Sequence, residues 1–173
     1  MPELTLSNAL PNGLELLQIT LRLLTALVAG GVVGLQRELT HKPAGLRTHM
    51  LLSLGIALIL VTAEESGMSK SDLSRVVQGL VTGVGFLGGG AILKLTAEHE
   101  IHGLTTAAGL WLTAAAGAAA GLGRLGLSIV GVCLGVFVLS TFSKVEKRLG
   151  RHISPDAANR SPTGREPPAD DTG

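Results

Sequence analysis

The sequence predicts an all-α fold, a polytopic membrane bundle of about five transmembrane helices, each of a length that spans a bilayer. Three observations carry that expectation. First, 46% of the 173 residues are hydrophobic and only 16% are charged, whereas a soluble domain carries about a quarter charged residues. Second, the charges are unevenly placed, and the runs 76–93 and 125–142 hold none. About 18 uncharged apolar residues suffice to cross a hydrocarbon core of roughly 30 Å. Third, the apolar runs do not alternate as barrel strands do. Helices are then the natural choice, because they satisfy their own backbone in lipid.

The first span is 16–35. Before it lies a tail, 1–15, without the basic segment of a cleaved signal peptide, so the span is expected to act as its own insertion signal. Gln18, Arg22, Thr25, Ala29 and Gln36 fall on one face of it at 100° per residue. A charge at the centre of a span costs at least ~2.5 kcal/mol by insertion scales. Arg22 therefore either snorkels outward or finds an acceptor: a carbonyl, Gln78, a Thr, or a span-end acid such as Glu15. Loop 36–45 follows. Pro43 biases Lys42 away from helix, and Gly45 permits a tight turn.

The second span, 46–63, opens with Arg47, Thr48 and His49. A helix N-terminus beside Arg47 attracts anions, including lipid phosphate. Glu38 is the carboxylate nearest in sequence to Arg37 and Arg47. Arg22, Gln36, Arg37, Glu38, Arg47, Thr48 and His49 form the candidate ion or partner site. The competing reading makes the residues around the turn interface anchors and a topology signal.

Loop 64–75 leads to the third span, 76–93, where Gln78, Thr82, Gly85 and Gly89 share a face. Gly88, Gly89 and Gly90 in succession weaken a helix by roughly 1 kcal/mol each relative to Ala. They imply either a break that exposes carbonyls, as in transporters, or close packing. Loop 94–102 carries Lys94, Glu98, His99, Glu100 and His102. Their spacing matches no closed zinc pattern, so no metal site is expected. The fourth span, 103–122, places Thr106, Gly109, Thr113 and Gly117 on one face, with Trp111 turned away. The turn 123–124 leads to the fifth span, 125–142. The last residues, 150–173, are polar and rich in Pro and Asp, and are expected to be disordered.

Helices in lipid associate where small residues let backbones approach. Glycine pairs at four-residue spacing are Gly30/Gly34, Gly79/Gly83, Gly85/Gly89, Gly117/Gly121 and Gly131/Gly135. They predict tight packing and self-association into a homo-oligomer. Gly83, Gly85, Gly88, Gly89, Gly90, Thr105, Thr106 and Gly117 are assigned to packing or a backbone break. Lys and Arg concentrate in loop 36–45 and after 142, which puts the N-terminus outside and the C-terminus in the cytoplasm. A net charge of +1 offers no basic stripe, so no nucleic acid is expected. Cys133 is the one cysteine and makes no internal disulfide. No nucleophile–base pair, phosphate loop or paired intramembrane carboxylates can be named, so no catalytic residue, enzyme activity or cofactor is expected.

Three strings stand in order: GLQRE at 34–38 with KPAGLRTH at 42–49, GVGFLGGGAIL at 83–93, and HGLTTAAGLWLTAAAG at 102–117. Together they resemble the MgtC/SapB family of bacterial inner-membrane proteins, over roughly 16–149. The resemblance implies a multi-pass plasma-membrane protein linked to adaptation to low magnesium and, in some members, to virulence. It also implies a regulatory or partner-binding role, acting on other membrane proteins, the ATP synthase among them. The alternative is a transporter or channel for an ion, Mg2+ included, or a small solute. Gln36 stands where the family often has Glu, and no soluble C-terminal domain follows, so the short SapB-like branch is the nearer match.

Overall fold

The computed structural model describes residues 12–95 and 100–153, with side chains for 12–92 and 102–141. Glu98, His99 and most of the expected tails, 1–11 of 1–15 and 154–173 of 150–173, lie outside the described residues, whereas 13–15 and 150–153 are helical and 150–153 are not the disordered segment expected there. The elements are α1 (Gly13–Leu39), α2 (Leu46–Glu65), α3 (Lys70–Gly90), β1 (Leu93–Leu95), β2 (Glu100–His102), α4 (Leu104–Gly121) and α5 (Leu125–Ile153). The bundle is helical, as expected. By length and composition α1, α2 and α4 can each cross a membrane, and Leu125–Thr141 of α5 is a shorter apolar stretch. Residues 12–138 belong to one compact unit, and 139–153 are the described part of a second.

Helix α3 begins at Lys70 and not at 76, and α5 runs to Ile153 and not to 142, and two further boundaries differ from expectation for physical reasons. Helix α1 runs on through Leu39, so Gln36, Arg37 and Glu38 are helical and not in a loop. Those three are good helix formers, and charge at a membrane edge does not stop a helix. The chain turns only around Pro43, with His41 and Ala44 in the left-handed region at φ 54° and 56°. Helix α3 ends at Gly90, not at 93. The glycine run marks the end of the helix and makes no break inside it. Leu93 begins a short antiparallel hairpin, with Leu93 opposite His102 and Leu95 opposite Glu100, where a charged loop was expected. Gly103 closes that hairpin at φ 94°, and a Cβ there would collide with the carbonyl of Ala91. No other residue fits both demands.

The core of the first unit is the trio α1, α2 and α4. A Cβ on Gly34 would lie 2.7 Å from the Leu46 Cα, one on Gly117 2.9 Å from the Ser53 Cα, and one on Gly121 2.9 Å from the Ala57 Cα. Backbones therefore touch along both seams, as close packing in lipid requires. Gly117 meets Ser53 and Gly121 meets Ala57, so α2 and α4 run parallel. Gly34 meets Leu46 while Gly30 meets Ser53, so α1 runs against α2. Helix α3 packs on this trio through Val84 and through Gly88, whose Cβ position is 3.6 Å from the Trp111 ring. Helix α5 is tied in by a hydrogen bond from the Ser128 hydroxyl to the Ala116 carbonyl, 2.9 Å.

Among the described residues the other glycine pairs make no backbone-to-backbone contact. Gly79, Gly83, Gly85, Gly89, Gly90 and Gly131 meet nothing within 4 Å among the described residues, and the atoms nearest a Cβ on Gly135 belong to the side chain of Leu112. Among the described residues Gly83, Gly85 and Gly89 make none of the packing assigned to them, and Gly90 lines an open groove with Thr48 and Leu51 of α2 and Leu110 of α4. The two sets of glycines should respond differently to substitution. Gly34→Val overfills a backbone contact and should destabilise the protein by about 1–3 kcal/mol, read as a lower unfolding midpoint in detergent. Gly83→Val should leave that midpoint unchanged.

Candidate functional site

The inward faces of α1, α2 and α4 bring polar side chains together in the interior. Arg37, in the last turn of α1, is 2% exposed. Its Nη2 donates a hydrogen bond to the hydroxyl of Thr106 on α4, and its Nε has no partner. His49 on α2 is fully buried. Its Nδ1 lies 3.2 Å from the carbonyl of Gly45. A carbonyl can only accept, so Nδ1 carries the hydrogen and the neutral ring presents a lone pair at Nε2. That Nε2 is unpartnered and lies 3.5 Å from where a side chain on Gly109 would begin. One turn further, Ser53 on α2 and Thr113 on α4 are fully buried, and neither hydroxyl has a partner.

Those free hydroxyls differ from the others in the bundle. Thr20, Thr25, Thr62 and Thr82 each donate to the carbonyl four residues earlier, at 2.7, 2.7, 2.8 and 3.0 Å. That local bond is the usual outlet for a helical hydroxyl. Ser53 and Thr113 do not take it.

The polar region stops at a layer of Ala26, Ala57 and Ala120, all fully buried. On its far side Arg22 forms an ion pair with Glu64 and reaches the carbonyl of Gly121 at 3.4 Å. Arg22 thus takes two of the expected kinds of acceptor, a carbonyl and a span-end acid, the acid being Glu64 and not Glu15. Glu15 caps α1, accepting the Asn12 N–H at 2.9 Å. Arg22 and Arg37 stand about 22 Å apart along α1 by the helical rise.

Charge balance differs at the two ends. Arg22 has a carboxylate, while Arg37 has none among the described residues. Glu38, expected beside Arg37 or Arg47, points elsewhere. Its carboxylate accepts the Leu46 N–H at 3.1 Å and caps α2, whose N-cap, Gly45, has no side chain to do so. The α1 dipole favours Arg37 by about 0.3–1 kcal/mol. That is less than the several kcal/mol by which burial penalises an ion.

Of the residues expected to form one site, only Arg37 and His49 come together, with Thr106. Arg22 belongs to the opposite end. Gln36 has a buried Oε1 without a partner. Arg47 and Thr105 are exposed. Thr48 lines an open groove with Leu51, Phe86 and Leu87. Ser53 and Glu64 were missed. Ser53 stands four residues after His49 on the same face, which is the signal that could have found it. No group of three or more His, Cys, Asp or Glu residues lies together among the described residues.

A sequence profile of the MgtC family matches residues 23–148. The chain belongs to the MgtC family. This range holds all of Arg37, His49, Ser53, Thr106 and Thr113, and begins just after Arg22. The chain is 40% identical over 149 residues to SrpB of Synechococcus elongatus, covering 80% of this chain and 81% of that one. It is 38% identical over 139 residues to YhiD of Escherichia coli, covering 76% and 64%. It is 38% identical over 117 residues to MgtC of Brucella abortus, covering 66% and 46%. It therefore spans less than two thirds of YhiD and less than half of that MgtC. No solved structure matches.

The two arginine contacts should differ in weight. Thr106→Val removes the one partner of a buried guanidinium and should cost about 1.5–3 kcal/mol. Glu64→Gln breaks a partly exposed pair and should cost less than about 1 kcal/mol. Unfolding midpoints of the two variants in the same detergent check the order.

Proposed function

We propose that this member of the MgtC family is a regulatory, ligand- and partner-binding protein of the bacterial inner membrane, linked to magnesium limitation. The observation that carries this reading is the dead end of the polar region. Arg37, His49, Ser53 and Thr113 make an interior that can hold a ligand, yet the layer of Ala26, Ala57 and Ala120 offers no polar path onward to Arg22. A conduit needs such a path, because each unpaired polar group in a dry interior is costly. The concentration of Lys and Arg around 37–47 and after 142 supports an N-terminus outside and a C-terminus in the cytoplasm. Helix α1 then carries the Arg37 cluster to the cytoplasmic half. The bare glycines of α3, with Phe86 83% exposed beside them, support contact with another membrane helix there. Small residues allow the same close approach that α1, α2 and α4 use.

The second reading is transport. It is favoured by the unpartnered buried atoms His49 Nε2, Ser53 Oγ and Thr113 Oγ1, and by the name of YhiD, which provisionally describes that relative as a magnesium transporter. Flux separates the two. Purified protein in liposomes should pass Mg2+, K+ and phosphate no faster than empty liposomes. Flux above that background, lost in Arg37→Gln, would establish transport instead. In cells short of magnesium, a Cys133→Ser, Gly83→Cys chain should crosslink within the membrane to a second, different membrane protein. Capture of only its own copies would count against the partner-binding part.

A further inference from the structure

We propose that the buried cluster is a binding site for a small oxyanion of the carboxylate or phosphate class, seated between Arg37 and His49 in the space beside Gly109. This rests on the reading of the cluster as a ligand site and names what the ligand is. Charge is the first argument. Arg37 cannot shed its proton, is 2% exposed, and has no carboxylate partner among the described residues. A buried charge of this kind is stable only when paired, so the missing negative charge is the ligand's. A cation would meet like charge and no Asp or Glu.

Donors and space are the second argument. The Arg37 Nε–H and the hydroxyls of Ser53 and Thr113 are unpartnered. Ser53 lies one turn inward from His49 on α2, and Thr113 one turn inward from Gly109 on α4, so the free hydroxyls extend the donor set on the inner side. His49 Nε2 accepts when the ring is neutral and so can receive the proton of a protonated oxyanion; on a charged ring it donates to the deprotonated form. Gly109 supplies the room. Beyond its own helix backbone and chain neighbours, a methyl placed there would meet only that Nε2 among the described residues, at 3.5 Å. Size is the third argument. Arg37, His49, Ser53, Thr106 and Thr113 are at most 3% exposed. That closure leaves no opening for a lipid headgroup with its tails, so the ligand proposed is a small free anion.

The test uses the full chain in nanodiscs of phosphatidylcholine alone, followed by thermal unfolding. Sodium acetate or sodium phosphate should raise the midpoint saturably by several degrees, and sodium chloride at matched ionic strength should not. Arg37→Gln should abolish the rise. Should that variant fail to fold, Gly109→Ala serves. Its added methyl sits at ordinary contact distance, so the anion-free midpoint should hold, while half-saturation should need at least ten times more anion. An undiminished response in Gly109→Ala would overturn the proposal. A saturable response to magnesium chloride but to no oxyanion would overturn the anion and leave the ligand site standing. No response to either would overturn both. A rise only in phosphatidylglycerol nanodiscs, without added anion, would overturn the small free anion in favour of a lipid phosphate.

Discussion

Backbone-to-backbone contact among α1, α2 and α4 is the constraint on which the rest depends. Lipid gives no hydrophobic reason for helices to associate, so the trio is held by the fit of Gly30 and Gly34 against α2 and of Gly117 and Gly121 against Ser53 and Ala57. That fit does two things. It buries the faces on which Arg37, His49, Ser53, Thr106 and Thr113 stand, and it fixes their register to within a helical turn. A looser seam would let water or lipid reach those groups, and they would need no ligand.

The cluster is unusual in what it leaves unpaired. Buried polar atoms are nearly always satisfied, and Thr20, Thr25, Thr62 and Thr82 bond their own helix while the buried Ser128 bonds a carbonyl of α4. The exceptions gather in one place, beside a guanidinium without a carboxylate and a glycine without a side chain. A bundle stabilised only by packing has no use for that combination, whereas even the partly exposed Arg22 has its carboxylate, Glu64.

Much of this was legible in the sequence, and the reason lies in the solvent. The need to span a bilayer announces helices through uncharged length, so all five were legible, but α3 begins six residues before the uncharged run and α5 continues eleven residues beyond it, because charged good helix formers extend a helix without being apolar. Membership of the family was readable from three short strings. What could not be read was which glycines pack. Gly79 and Gly83 repeat the spacing of Gly30 and Gly34, yet only the latter meet another backbone, because spacing states a face and says nothing of what lies opposite. Charge partners failed for the same reason. Glu38 is one residue from Arg37 in sequence, but its carboxylate went to a helix N-terminus that Gly45 left uncapped. Glu64, 42 residues from Arg22, is its true partner, and only the antiparallel run of α1 and α2 brings them together.

The alanine layer has a mechanical consequence. A barrier of Leu or Phe can swing aside by rotating a side chain, whereas alanine has no rotamer to change. Ala26, Ala57 and Ala120 can therefore part only if whole helices separate, which means unzipping the glycine seams on either side. Whatever happens at Arg37 is felt at Arg22 through rigid rods moving as bodies, or not at all.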